Sequence, residues 1–179
     1  MAKTSLYKLT SCALMTALLC VLAPVAIPVG PIPVTLATLL LYLCIWLLDT
    51  RSALISTGLY LLLGIVGLPV FSGWQGGLGK VAGPTGGYLV GYLLLVLIGG
   101  LIKSSSKSRL IPTLLGMVLG TVVLYAFGTA WFIFQTKSDI LSSLSVCVLP
   151  FIGFDLIKIA LAAAIGIPVI NALRKAELI

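Results

Sequence analysis

The 179-residue chain is 60% hydrophobic and only 8% charged, against roughly 45–50% apolar and about 25% charged in soluble domains. That excludes a water-dispersed enzyme or binding module, and the apolar residues come in runs close to the roughly 20 that about 30 Å of hydrocarbon requires of a helix. The net charge of +7 calls for no nucleic acid, because the cations stand between apolar runs, where membrane topology accounts for them.

In chain order, a first helix is predicted at 9–27, where Pro24, Pro28, Pro31 and Pro33 break it through lost donors and fixed backbone angles. It carries no small-residue cleavage pattern and reads as a retained helix. A second helix at 34–48 is only about 22 Å long at 1.5 Å per residue, so it needs help from the proline segment or shielding by neighbours. A polar turn at 49–52 leads into a third helix at 53–68. Pro69 then opens a glycine-rich segment, 69–86, of a length that is usually functional. Further helices are expected at 87–102, 110–134 and 146–173.

This describes an all-α membrane protein of six transmembrane helices in one domain, 1–179, with both termini on the same side. Lys3, Lys8, Arg51, Lys103, Lys107, Arg109, Arg174 and Lys175 fall at one face of such a bundle, and only Lys80 and Lys137 at the other. The excess of cations marks the cytoplasmic face. Both termini are therefore cytoplasmic, the segment 69–86 faces outward, and the chain is a multi-pass protein of the cytoplasmic membrane.

Cys12, Cys20, Cys44 and Cys147 lie within or beside apolar runs, no CxxC pair occurs and the chain has no histidine. Neither a metal nor a resident cofactor is expected, and the cysteines read as small hydrophobes. Without histidine, apposed carboxylates or an activated nucleophile, catalysis is not expected either. Small residues recur four apart at Ala13 and Ala17, Gly87 and Gly91, Gly116 and Gly120, and Ala162 and Gly166, spacings that let helices approach closely in lipid.

Two features could carry function. Asp155 and Lys158 stand three apart inside the sixth apolar run, on one helical face with Phe151 and Ala162. An ionisable group there costs about 2.5 to 3.5 kcal/mol on insertion scales and marks a functional site by default. A lone carboxylate and ammonium have more bonding capacity than they can give each other, so the pair reaches for a polar guest or for other buried groups. The second feature is the stretch from Val70 to Tyr88, with seven glycines, the flat faces of Trp74 and Tyr88, and the polar tips of Gln75, Lys80 and Thr85. It reads as a lid over a pocket. Gly79-Lys80 is not a phosphate loop, since Trp74 stands where the first glycine belongs and Val81 where Ser or Thr would hold magnesium.

Four segments together resemble the BioY family, the biotin-binding S components of energy-coupling factor (ECF) transporters. They are the proline turn 27–35, the run Leu63-Gly64-Ile65-Val66-Gly67-Leu68-Pro69-Val70-Phe71, the segment Gly83-Pro84-Thr85-Gly86-Gly87-Tyr88, and Phe154-Asp155-x-x-Lys158. The resemblance implies a six-helix bundle that captures biotin from outside and works with a transmembrane coupling subunit and two cytoplasmic ATPases. Ala13 and Ala17 would form the seam with the coupling subunit. Asp155 and Lys158 would hold the ureido ring with help from Gln75, while Tyr88 and Trp74 pack on the apolar rings or tail. Lys80 is the candidate for the ligand's carboxylate at the outward end, and Lys80 and Gln75 are carried by their chemistry more than by the motif; Thr85, Gly86 and Phe151 complete the candidate binding residues. A self-contained proton- or ion-coupled carrier using Asp155 and Lys158 is the competing reading, but such carriers show matching broken-helix halves and none is evident here.

Overall fold

The computed structural model describes residues 2–28, 32–104 and 110–176. The elements are α1 (Ala2–Leu22), β1 (Ala26–Ile27), β2 (Val34–Thr35), α2 (Ala37–Leu47), α3 (Thr50–Val66), α4 (Leu78–Ala82), α5 (Gly86–Ser104), α6 (Leu110–Thr136), α7 (Ile140–Cys147) and α8 (Leu149–Lys175). The segments Gly86–Ser104, Leu110–Thr136 and Ile140–Lys175 are long and apolar enough to cross a membrane, and Leu6–Leu22, Ala37–Leu47 and Thr50–Val66 are shorter apolar helices.

Several boundaries differ from the sequence expectation for physical reasons. The first helix stops at Leu22, because the chain beyond Pro24 folds into a ribbon in which Ala26 pairs with Thr35 and Ile27 with Val34. The second helix is thereby cut to 11 residues, about 16 Å. It survives because nearly its whole length, Ala37 to Trp46, is buried by protein and barely meets lipid. Asp49 caps α3, accepting from Ser52 N at 3.4 Å and Ser52 Oγ at 2.9 Å, which moves its start to Thr50. Gly67, at φ 116°, closes α3 in the left-handed conformation. The sixth run begins earlier than expected, as α7, capped by Asp139. Val148 then breaks the rod before α8 starts with Pro150 in its first turn.

Small residues form the seams. Gly116 of α6 lies against Gly99 of α5 so closely that an added Cβ would come within 2.7 Å of the Gly99 carbonyl oxygen, and Gly120 meets Leu95 in the same way. Gly166 of α8 receives the Trp46 ring of α2, and Ala162 is fully buried. Ala13 and Ala17 instead face outward from α1.

Two of the lysines assigned to the cytoplasmic face meet at one end of the bundle. Lys8 pairs with Asp49 at 3.5 Å, and Lys103 donates to the carbonyls of Ile45, Trp46 and Leu48 at 2.5, 2.9 and 2.9 Å, closing the end of α2 with a charge that suits it. Both lysines line one cavity at that end with Ile170. At the opposite end Gln135 donates to the Ala82 carbonyl at 2.7 Å. Lys107, Arg109 and the turn residues Val29 to Pro31 lie outside the described residues.

Candidate functional site

The inward stripe of α8 is Phe151, Asp155, Lys158, Ile159, Ala162 and Gly166, a helical period that turns the ion pair toward α2 and away from lipid. Asp155 is 4% and Lys158 8% exposed. Lys158 Nζ donates to Asp155 Oδ1 at 3.1 Å and to Thr38 Oγ1 at 2.8 Å. The same Thr38 hydroxyl donates to Oδ1 at 2.9 Å, while Tyr125 of α6 donates to Oδ2 at 2.6 Å. Both carboxylate oxygens therefore have protein partners. Of the two expected ways to complete the pair, other buried groups supply these bonds: two ammonium protons have acceptors, and what remains is the third proton and the free lone pairs of the carboxylate.

Above the pair are two adjoining chambers of about 50 and 30 Å³. The deeper one is lined by Thr38, Tyr125, Phe151, Asp155 and Lys158, and the upper by Ser72, Lys80 and Thr85. Tyr88, Tyr92, Thr35 and the ribbon residues Ile32 and Pro33 line both. Tyr88 is fixed by donating to the Cys147 carbonyl at 3.1 Å and by its contact with Thr129 Oγ1 at 3.2 Å, which ties α5 to α6 and α7.

Of the residues singled out from sequence, Asp155, Lys158, Tyr88 and Phe151 meet in or beside the deep chamber, with Lys80 and Thr85 above them. Burial draws the Lys80 ammonium below the usual lysine range. Gly86 opens α5 so close to Val81 that a Cβ would strike its carbonyl, and its N–H donates to Gly83 O at 3.0 Å. Trp74 and Gln75 are not brought in. Trp74 is 60% exposed at φ 59°, Gln75 is exposed, and neither lines a chamber. The cause is a tight turn in which Phe71 N donates to Gln75 O at 2.8 Å and Gln75 N back to Phe71 O at 3.3 Å. Phe71 is wholly buried, edge-on to Tyr60 at 5.6 Å, so the segment is anchored and its tip points away.

Thr38, Tyr125 and Tyr92 escaped the sequence reading. The signal available for them was a hydroxyl inside an apolar helix, which in lipid must find an acceptor.

A family model described as the BioY family matches residues 1–175. Biotin transporter BioY2 of Lactococcus lactis is 37% identical over 173 residues, 97% of this chain and 95% of that protein. Biotin transporter BioY of Thermotoga maritima is 37% identical over 89% of this chain and 94% of its own length. The crystal structure of the S-component for biotin from an ECF-type ABC transporter superposes with a TM-score of 0.86 at 31% identity, over 98% of this chain and 94% of that one. With its fold, its matched length and its buried Asp155–Lys158 pair, the chain belongs to the BioY family.

Proposed function

We propose that the chain captures biotin at the outward face of the membrane and serves as the substrate-binding subunit of an ECF-type transporter. The observation that carries this reading is the buried ion pair opening on a chamber beneath the outward ribbon. Biotin's fused rings present two N–H donors and a carbonyl on an otherwise apolar body. Asp155 can accept from the first and Lys158, with its spare proton, can donate to the second, each a charge-assisted bond in a water-poor site. Thr38 and Tyr125 then hold the pair in place, and either can release its carboxylate bond to an incoming N–H. Tyr88, Tyr92 and Phe151 cover the apolar body. The ligand's carboxylate points into the upper chamber, toward Lys80 with Thr85 beside the backbone at Gly86. Trp74 and Gln75 have no part in this pose.

The chambers together have room for only a few waters, so entry requires the ribbon of β1 and β2 and the segment 69–86 to lift and close again. The chain supplies no energy of its own in this reading. A transmembrane coupling subunit with two cytoplasmic ATPases does so, docking on the α1 face where Ala13 and Ala17 are exposed, and the chain itself works without a cofactor or a catalytic step. Equilibrium binding of labelled biotin to the purified chain tests the reading: retention that Asp155→Asn removes is expected, whereas a folded chain that retains no biotin would sink it.

A further inference from the structure

The two halves of the segment 69–86 are held in different ways. The first is fixed to neighbouring elements: Phe71 is wholly buried, Gly73 N–H donates to the Pro24 carbonyl at 3.0 Å, and Gly77 N–H to the Gly64 carbonyl at 2.7 Å. The second half is α4 with the turn 83–85. No residue of α4 is fully buried and no side chain caps its start. At its other end, where a helix leaves carbonyls without partners, two side chains of α6 supply donors. Trp131 Nε1 donates to the Gly83 carbonyl at 3.0 Å and Gln135 Nε2 to the Ala82 carbonyl at 2.7 Å. Standing four residues apart, the two donors share one face of α6. Bare backbone at the start of α5 makes room for this closure, since a Cβ on Gly86 would strike the Val81 carbonyl and one on Gly87 would strike Trp131 Cβ. Lifting the first half would unpack a buried ring and break backbone bonds. Lifting the second breaks two side-chain bonds and frees the partly buried Val81.

The cavities follow the half that lifts more easily. Lys80 and Thr85 line the upper chamber and also a third cavity, which lies between α4 with its turn and Phe132 and Thr136 of α6. A file of cavities therefore runs from the ion pair, past Tyr88 and Tyr92, to the cleft between α4 and α6. We infer that Trp131 and Gln135 latch α4 against α6, and that release of this latch begins the opening through which a ligand enters and leaves the chambers. Neither side chain lines a chamber, so both act through α4 as positioning residues. Their two bonds belong to the closed protein whether or not a ligand lies beneath them. They therefore cancel from the affinity and remain in the barrier to opening, where a lid residue sets rates in both directions. The route rests on the proposed biotin site; the latch does not.

The test compares the full chain, in nanodiscs, with the double variant Trp131→Phe, Gln135→Met, which keeps apolar bulk at both positions and removes both donors. Association and dissociation rates of labelled biotin, read by rapid mixing and by chase, should both rise about three- to tenfold while the dissociation constant stays within about twofold. Without ligand, amide exchange across α4 should quicken by a similar factor and that of residues 71–77 should not change. Gln135→Met alone, at an exposed position, should show a smaller rise of the same kind, and it replaces the double variant should that one not fold. Unchanged rates would overturn the inference, as would unchanged exchange across α4. So would faster dissociation at an unchanged association rate, because a site that is merely loosened loses affinity. Faster exchange across α4 with no biotin retained by any of the proteins would uphold the latch and remove the ligand reading alone.

Discussion

Among the described residues stand two aspartate–lysine pairs, one at the cytoplasmic end and one in the bundle, and their surroundings are opposite. Asp49 and Lys8 stand 3.5 Å apart with side chains 45% and 55% exposed, whereas Asp155 and Lys158 stand 3.1 Å apart at 5% and 11%. At Asp49 partial burial alone would raise the carboxyl, but the Ser52 hydroxyl and backbone N–H, with Lys8, outweigh it and hold the group below its ordinary range. That pair closes a helix end in water, where such a bridge is worth about 0–1 kcal/mol. The inner pair lacks water's screening, shares Thr38 between its members and borrows Tyr125 from another helix. The same two residue types thus serve as a cap where solvent reaches them and, in the function proposed above, as a polar floor for a guest where it does not.

Substitutions that remove a charge from each pair separate these roles most strongly. Asp155→Asn should weaken biotin binding by about a hundredfold or more, since it takes a charged acceptor from the ligand and a counter-charge from Lys158; equilibrium binding to the purified chain measures it. Lys158→Met should cost binding on a similar scale, and a double-mutant cycle with Asp155→Asn should show strong coupling between the two. The supporting hydroxyl comes next: Tyr125→Phe removes one interhelical hydrogen bond, worth about 0.6 to 1.7 kcal/mol in membranes, and should weaken binding about three- to twentyfold.

Smaller effects sharpen the contrast. Because burial lowers the Lys80 ammonium, biotin affinity should decline on the alkaline side at a lower pH than a free lysine would dictate. Lys80→Gln should remove that dependence and cost about tenfold at neutral pH, the loss of one charge-assisted bond; titrating affinity against pH in both proteins checks it. Asp49→Ala should leave affinity unchanged and cost roughly 0.5–1 kcal/mol through the lost cap. A lowered folded-state carboxyl contributes stability above its unfolded pKa and loses it as pH falls through the folded one. The stability gap to Asp49→Ala, read by unfolding in detergent, should therefore shrink on acidification.

The helices and the ion pair were legible in the sequence because both announce themselves locally, the one as apolar runs, the other as charges where none is affordable. The ribbon was not, since two-residue strands carry no period and the prolines around them read only as a break. The glycine-rich segment misled in detail. Its aromatic Trp74 looked like a ligand platform, but the buried anchor is Phe71, held by Tyr60 and the bare backbone of Gly64, and that choice is made by packing between distant residues. Thr38 and Tyr125 were hidden for the same reason. They lie 117 and 30 residues from Asp155, and only the crossing of α2, α6 and α8 brings them to it.

A structure of the chain with biotin bound addresses the central claim most directly. The ureido oxygen should lie within hydrogen-bond reach of Lys158 Nζ and a ureido nitrogen within reach of Asp155, with the carboxylate toward Lys80. Biotin lodged elsewhere, with Asp155 bonded to Thr38, Tyr125 and Lys158 as described above and to no part of the ligand, would contradict it.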